Sequence, residues 1–368
     1  MVNVLKDNQI SISEDEWKEL NETLTKEEIK LLISETIEKN EVPLPMREIM
    51  LEEAFSSFEA IQKETKPLQS GHWFSRYDYS YPFLDMYFPV DRSGNVASDM
   101  FSQQQRWMCD SINSPSPYRT WNTEKFRLTL LNALWTLKFK KIDATALRSA
   151  IGLRKYIAAQ FRPATAKSVY EMFDAKNVLD ISAGWGDRLT GFLAASNTRS
   201  YLGIDPNEKM VTSYDRIEKA FNNSNKKVEI VSDCAEHYQY RKEQTFDFIF
   251  TSPPYFNIER YTQEDNQSFK RYRKLHDWLE LFLFKSLENA WNQLEQGGFL
   301  VINISDVYSN HTVNKICDPM NDFIKTLPQS HYYGAIGYQM HKRPNSGALK
   351  DKEGVFCEPM WVWEKKSD

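Results

Sequence analysis

The sequence predicts an α/β protein: a seven-stranded, mostly parallel sheet preceded by a mainly helical N-terminal region. Three observations carry that expectation. The run Val178–Ser182 reads as a buried strand, and it leads through a glycine-containing turn into helical spacing from about Asp187 to Ala195. A second apolar run, Phe246-Asp247-Phe248-Ile249-Phe250, ends at Thr251-Ser252-Pro253-Pro254-Tyr255. Around these, apolar runs alternate with helical segments, the order that builds a parallel sheet with helices on both faces.

At 368 residues the chain is long enough for two domains, or one large domain with an extension. The composition and patterning divide it into an acidic helical extension (1–66), an aromatic and basic, mainly helical region (67–159), and an α/β domain (160–368). Hydrophobic residues make up 41% and aromatics 14%, and no apolar run approaches the length that spans a bilayer. The polar, acidic start MVNVLKDNQISISEDEW carries no secretory pattern. Cys109, Cys234, Cys317 and Cys357 are widely separated with no C-x-x-C pair, which argues against a zinc site or a disulfide framework. The expectation is a cytoplasmic protein with no metal and no membrane association. Net charge is −5, but it is unevenly spread. Residues 1–66 carry 16 acidic and 8 basic groups, whereas residues 118–168 carry 11 basic and 2 acidic ones, an asymmetry that suits a polyanionic partner.

In chain order, residues 13–40 read as two helices, because Ser13 with Glu16 and Thr25 with Glu28 each fit a capping box. This acidic pair is either a solvated structural appendage or an arm for a protein partner. Residues 67–122 hold Trp73, Phe74, Tyr77, Tyr79, Tyr81, Phe83, Tyr87, Phe88, Trp107, Tyr118 and Trp121, interleaved with Arg76, Arg92, Arg106 and Arg119. Such a cluster forms either the core of a loop-rich subdomain or stacking platforms for unpaired bases. From Thr123 to Ala159 the pattern is helical, with Leu128, Leu131, Leu134 and Leu137 in register. Lys138, Lys140, Lys141, Arg148, Arg154 and Lys155 make this segment a candidate for phosphate contact, or a solvated basic face. Phe161-Arg162-Pro163 opens a further short helix that ends near Phe173.

Two motifs then follow in order: Val178-Leu179-Asp180-Ile181-Ser182-Ala183-Gly184-Trp185-Gly186-Asp187-Arg188, and Ser252-Pro253-Pro254-Tyr255. Together they resemble the S-adenosylmethionine-dependent DNA amino-methyltransferases, whose signatures are a D-x-x-x-G-x-G cofactor loop and an (S/N/D)-P-P-(Y/F) catalytic loop. The resemblance covers roughly residues 160–365. It implies a Rossmann-like methyltransferase sheet, S-adenosylmethionine as cofactor, DNA as substrate, and a base flipped from its stack, as in restriction-modification systems. Serine ahead of Pro-Pro-Tyr favours cytosine N4 over adenine N6. The motif order is the reverse of that in many cytosine-N4 enzymes, and it leaves no room for a large C-terminal recognition domain. Recognition would then come from 67–160, 256–275 or 340–356, and an RNA base amino-methyltransferase or an inactive cofactor-binding scaffold stands as the alternative.

An exocyclic amine is a poor nucleophile because its lone pair is delocalised into the ring. Hydrogen-bond acceptors for its N–H groups stabilise the positive charge that develops on attack. Ser252 offers a side-chain oxygen and Pro253 a carbonyl, while Pro253 and Pro254 restrict the loop before substrate arrives. Tyr255 offers a face for an extruded base. In the first motif, Ser182, Gly184 and Gly186 allow close backbone approach to a ligand at the carboxyl edge of the sheet. Asp205, ending the strand Tyr201–Ile204, suits a carboxylate accepting from ribose hydroxyls, and Asp233, after Val228–Ser232, suits one accepting from an adenine amine with Cys234 packed on the ring. A nicotinamide site is disfavoured, because Leu189 stands where the last glycine of G-x-G-x-x-G belongs. By the resemblance, Asp180 binds the methionine ammonium, and Phe161, Arg162 and Pro163 pack over the methionine end of the cofactor. Arg260, Lys270, Arg271, Arg273 and Lys274, in the loop after the second motif, are the candidate nucleic-acid contacts. The remaining strands are expected at Phe299–Ile304, Tyr332–Gln339 and Pro359–Trp363, the last two as an antiparallel pair.

Overall fold

Alternating side chains along one short run define the two faces of the sheet. Phe248 and Phe250 pack on Tyr170, with ring centroids 6.0 and 5.6 Å away, whereas Ile249 between them belongs to the cluster on the opposite side. That period of two is the signature of a strand buried on both faces. The computed structural model describes residues 2–309, 311–341 and 352–367, and the chain divides into two compact units. One comprises Met1–Glu48 and Gln104–Ala159, the other Ile49–Gln103 and Gln160–Asp368. Both are discontinuous in sequence, which the consecutive segments 1–66, 67–159 and 160–368 do not represent.

The first unit is helical. Glu14–Thr23 and Lys26–Lys39 both begin with the expected capping boxes, Ser13 with Glu16 and Thr25 with Glu28. The 123–159 segment is not one helix: it forms Glu124–Leu131, Ala133–Thr136 and Ala144–Arg154. The break follows Leu137, where Lys138 takes φ = 53°, so Leu130, Leu131 and Leu134 enter the core while Leu137 stays exposed. Trp107 and Trp121 join that core, and the Trp121 indole donates to the Val42 carbonyl at 2.8 Å.

The second unit is built on a ten-stranded sheet among the described residues. Its strands are β1 (Gln69–Ser70), β2 (Trp73–Phe74), β3 (Phe83–Phe88), β4 (Asn177–Asp180), β5 (Ser200–Ile204), β6 (Lys227–Val231), β7 (Phe246–Thr251), β8 (Leu294–Asn303), β9 (Ser330–Gln339) and β10 (Val355–Lys365). The order is β1-β3-β9-β10-β8-β7-β4-β5-β6, with β2 paired to β10. The neighbouring pairs from β8 to β6 are all parallel, and β10 runs antiparallel to both β8 and β9. Strands β4 to β10 are the seven expected ones. The addition is β1–β3: residues 69–88 of the aromatic region extend the sheet edge instead of forming a loop-rich subdomain.

Helices cover both faces. On one, Leu51–Lys63, Pro163–Met172 and Asp187–Ala194 pack together. Gly191 makes their close approach possible, since a Cβ there would lie 2.6 Å from the Pro163 carbonyl oxygen. On the other face, the helical stretch Leu275–Gln293, with a wide π turn at Leu279–Phe284, and the helix Cys317–Lys325 bury Trp278, Trp291, Trp361 and Trp363. No helix among the described residues is long and apolar enough to cross a membrane. Residues 342–351, most of the expected recognition segment at 340–356, lie outside the described residues.

Candidate active site

Strand β4 pairs with β5 on one side and β7 on the other, and the chain returns from the outer strand β6 to β7. The strand order therefore reverses between β4 and β7. At such a switch point the loops leaving the carboxyl ends of neighbouring strands diverge and open a crevice. The first motif leaves β4 there and the second leaves β7.

The glycine loop is held by its own backbone. Gly184 and Gly186 take φ = 61° and 82°, a region that costs other residues strain. The Gly184 N–H donates to Asp205 Oδ2 at 2.8 Å, and the Tyr214 hydroxyl donates to the Gly184 carbonyl at 2.6 Å. Trp185, between the glycines, is buried and sets its ring against Tyr261 from the loop after β7, centroids 5.6 Å apart. Asp187 opens the next helix and accepts from Ser98 at 2.5 Å.

Asp180 corrects the expectation placed on it. Its carboxylate is wholly buried and accepts from Arg188 Nε at 2.7 Å, Arg188 Nη2 at 3.2 Å, the Tyr201 hydroxyl at 2.8 Å and the Ser182 N–H at 3.1 Å. An ammonium group finds no free face on it. The Arg188 guanidinium also donates to the Ser182 carbonyl, so the ion pair fixes the start of the loop from within. Burial works against the charge on Arg188, but the Asp180 carboxylate outweighs it and holds the guanidinium above its ordinary value. Burial and the same carboxylate push the Tyr201 phenol up.

Asp205 is partly exposed, and backbone N–H groups of Asn207, at 2.9 Å, and Gly184 hold it in place. Burial pushes its carboxyl up to about 6, against the pull of those two donors. Asp233 is exposed and accepts from the Cys234 N–H at 2.7 Å. Cys234 is half-buried, with its Sγ 3.5 Å from the Asn266 carbonyl, and burial raises its thiol. Phe161 stacks on Tyr338 at 4.8 Å, meets Phe250 of β7 edge-on at 5.5 Å, and lies 5.8 Å from the Arg188 guanidinium. Arg162 is committed elsewhere: its guanidinium covers the Tyr338 ring at 3.9 Å and donates to the Pro89 and Gln339 carbonyls. Pro163 occupies the first turn of its helix.

In the second motif, Pro253 is buried and Ser252, Pro254 and Tyr255 are partly so. The Tyr255 hydroxyl turns inward. It donates to Glu358 Oε2 at 3.2 Å, and the backbone oxygen and Oδ1 of Asn303 lie 3.5 Å away. Burial, and then the Glu358 carboxylate, push the Tyr255 phenol well up. Burial raises the Glu358 carboxyl, opposed by the Tyr255 hydrogen bond and by Arg162. Phe256 turns the chain at φ = 53° and seats its ring against Trp278 at 5.8 Å.

Glu358, Asn303, Arg188, Tyr201 and Tyr214 were not singled out from the sequence. Only Glu358 carried a signal, as the lone carboxylate in the apolar run Val355-Phe356-Cys357-Glu358-Pro359-Met360-Trp361. In the loop after β7, Lys270 is bound to the Gln263 carbonyl and to Asp265 at 3.2 Å. Arg271 is bound to Glu236 at 2.9 Å and His237 at 2.7 Å. Arg260, Arg273 and Lys274 are exposed. Among the described residues no group of three or more His, Cys, Asp or Glu is placed to hold a metal ion, and no disulfide joins the cysteines.

No family model matches the chain. It is similar to tRNA1(Val) (adenine(37)-N6)-methyltransferases of Haemophilus influenzae: 27% identical over 119 residues to that of strain PittEE and 28% over 119 residues to that of strain Rd. Each match covers 31% of this chain and 50% of the relative, so the chain spans about half the length of the curated relatives it matches. Similar solved structures include an rRNA methylase from Streptococcus thermophilus, with TM-score 0.36 and 16% identity over 57% of this chain and all of that one. TrmN from Thermus thermophilus gives TM-score 0.35 and 16% identity, covering 55% of this chain and 48% of that one.

Proposed function

We propose that the chain transfers a methyl group from S-adenosylmethionine to an exocyclic amine of a nucleic-acid base, with RNA as substrate and adenine N6 as the first target to test. The observation that carries this reading is the pairing of the glycine loop and Ser252-Pro253-Pro254-Tyr255 at the carboxyl ends of two adjacent parallel strands. The choice of RNA and of adenine rests on the curated relatives, whose names specify a tRNA adenine; nothing in the comparisons favours DNA or cytosine N4.

The residues present fit the cofactor. Asp205 keeps unused lone pairs after accepting one N–H on each oxygen, as acceptors for a ribose diol require. Asp233 stands exposed at the end of the next strand for an adenine amine, and Phe161 offers an apolar surface beside the loop. Asp180 acts from behind, by fixing Arg188 and the Ser182 backbone. S-adenosylmethionine supplies an electrophilic methyl group on a sulfonium. Ser252 Oγ and the Pro253 carbonyl accept the N–H bonds of the base amine, stabilising the charge that develops on its nitrogen. The prolines hold both acceptors in place, so little reorganisation accompanies reaction.

The test supplies the purified chain with labelled S-adenosylmethionine and, separately, unmodified transfer RNA, ribosomal RNA and DNA, then identifies methylated nucleosides by mass spectrometry. N6-methyladenosine in RNA, lost in Ser252→Ala, is the expected result. N4-methylcytosine in DNA alone would restore the DNA reading, and cofactor binding without label in any pool would sink methyl transfer to nucleic acid.

A further inference from the structure

An aromatic and arginine-rich stretch can pack a core or stack on unpaired bases, and the fold divides residues 73–88 between the two uses. Trp73, Phe74 and Phe88 are buried, and Phe83 stacks on Trp73 with ring centroids 4.0 Å apart. The Tyr81 hydroxyl donates to Asp322 at 2.9 Å, and that of Tyr79 accepts from the Asp306 N–H at 3.2 Å. Tyr77 stays half-buried with no aromatic ring against it among the described residues, and Arg76 beside it is exposed. Resting on the methyl-transfer reading above, we propose that Arg76 and Tyr77 form a recognition edge for single-stranded nucleic acid at the rim of the catalytic crevice. The Tyr77 ring stacks on the base next to the target, and the Arg76 guanidinium takes the phosphate between them.

Anchors on either side of the pair fix its position. β2 runs parallel to β10, with Trp73 opposite Val355 and Phe74 opposite Phe356. Two residues past Phe356 stands Glu358, which accepts from the Tyr255 hydroxyl of the catalytic loop at 3.2 Å; two residues past Phe74 stands Arg76. On the other side, the Tyr79 hydroxyl lies 3.0 Å from Ser305 Oγ as well as at the Asp306 N–H. Those two residues closely follow Asn303, the last of β8, whose backbone and side-chain oxygens lie 3.5 Å from Tyr255 Oη. Two residues of chain span at most about 7 Å, so Tyr77 is held close to that same strand end. Asp78 is tied to Lys352 at 3.3 Å and Ser80 to Asp318 at 3.0 Å. The loop that presents the pair is thus fixed before any strand arrives, which lowers the ordering cost of binding.

The chemistry of the pair suits the nucleotides around a target base. Turning one base out of its strand leaves the neighbouring base unstacked, and an aromatic face replaces the lost stacking whatever that base is. A guanidinium matches two oxygens of a phosphate with its planar fork. The carboxylate at the nearby strand end offers the phosphate little repulsion: Asp306 is buried, pairs with Lys315 at 3.3 Å and accepts from the Ile316 and Cys317 N–H groups at 2.8 and 2.9 Å. On the opposite side of β7, the exposed Arg273 and Lys274 follow a segment tied to the loops after β5 and β6, by Asn266 to the Pro206 carbonyl and by Arg271 to Glu236. A strand crossing the crevice therefore meets positive charge on both flanks.

The experiment measures Kd for a fluorescent single-stranded RNA with one central adenine, and for its DNA counterpart, across salt concentration with S-adenosylhomocysteine present. It also measures KM and kcat on the RNA pool that accepts label. The proteins are the wild type, Tyr77→Ala, Tyr77→Phe, Arg76→Gln and Arg76→Lys. Tyr77→Ala is expected to raise Kd and KM about tenfold, the scale of one stacked base, with kcat and S-adenosylhomocysteine affinity unchanged. Tyr77→Phe keeps the ring and restores wild-type values, and an abasic site on one side of the adenine makes wild type and Tyr77→Ala bind equally. Arg76→Gln lowers the salt slope by ~0.7, one phosphate contact, and Arg76→Lys retains it. Unchanged Kd, KM and slope in Tyr77→Ala and Arg76→Gln would overturn the inference while leaving methyl transfer intact. A lowered unfolding midpoint or weaker S-adenosylhomocysteine binding as the sole effect would assign the pair a structural role and overturn it too. RNA binding that depends on the pair, without methylation of any pool, would sink the methyl-transfer reading and uphold the recognition edge. A wild type that binds neither single strand would overturn the edge itself.

Discussion

Asp205 and Asp180 are both strand-end carboxylates in the sequence, and their neighbours give them opposite uses. Asp205 stays partly open with a pKa of about 6, so it is ionised at neutral pH and protonates just below. Because its folded pKa is raised, the folded chain holds that proton more tightly than the unfolded one, and the acidic side favours the fold while it disfavours ribose binding. If only the carboxylate form binds, affinity for S-adenosylhomocysteine, measured by calorimetry, falls about tenfold between pH 7 and pH 5. Asp180 is sealed by Arg188, Tyr201 and Ser182. Removing the guanidinium leaves a buried charge unpaired, so Arg188→Ala is expected to cost about 3–5 kcal/mol in denaturant unfolding. Cofactor affinity falls with it, because the loop start loses its tie.

The glycine loop and the N-terminal helices answer different substitutions. Gly186→Ala meets two obstacles, a backbone at φ = 82° and Ile217 Cδ1 only 2.5 Å from the new Cβ. Strain of this type costs about 1–3 kcal/mol. The variant is expected to bind S-adenosylhomocysteine more weakly than wild type at unchanged pH dependence; equal affinity would mean that the loop relaxes without consequence. Thr25→Ala removes the N-cap of Lys26–Lys39, whose side chain accepts from the Glu28 N–H, and should cost about 1 kcal/mol. That cost belongs to the helical unit and leaves cofactor affinity unchanged.

Charge reads differently once the chain is folded. Residues 1–48, with twelve acidic and six basic groups, and residues 104–159, with ten basic and three acidic groups, belong to one unit whose net charge is +1. Pairs such as Arg127 with Glu38 at 2.7 Å and Lys140 with Glu14 at 3.8 Å join the two segments. The basic run that suggested a phosphate track is thus largely balanced by the acidic helices that suggested a protein arm. In the other unit, Arg260, Arg273 and Lys274 remain exposed while Lys270 and Arg271 are paired. Replacing those three by Gln is expected to reduce the salt slope of single-stranded RNA binding by about 2, at ~0.7 per phosphate contact. Arg271→Gln is expected to leave the slope unchanged and to loosen the loop around Glu236.

The sequence by itself determined the seven strands β4–β10, both capping boxes, the glycine loop and the Ser-Pro-Pro-Tyr turn. Each of these is a local pattern, in which side-chain period, a cap or a fixed φ acts within a few residues. Tertiary structure alone decided that residues 69–88 extend the sheet, that Asp180 faces Arg188 instead of a ligand, and that Lys270 and Arg271 are spent on Asp265 and Glu236. It also brought Glu358 to the Tyr255 hydroxyl. These outcomes depend on which distant groups share a buried volume. There a charge or hydroxyl takes whatever partner the packing offers, because leaving it unpaired costs more than any local preference recovers.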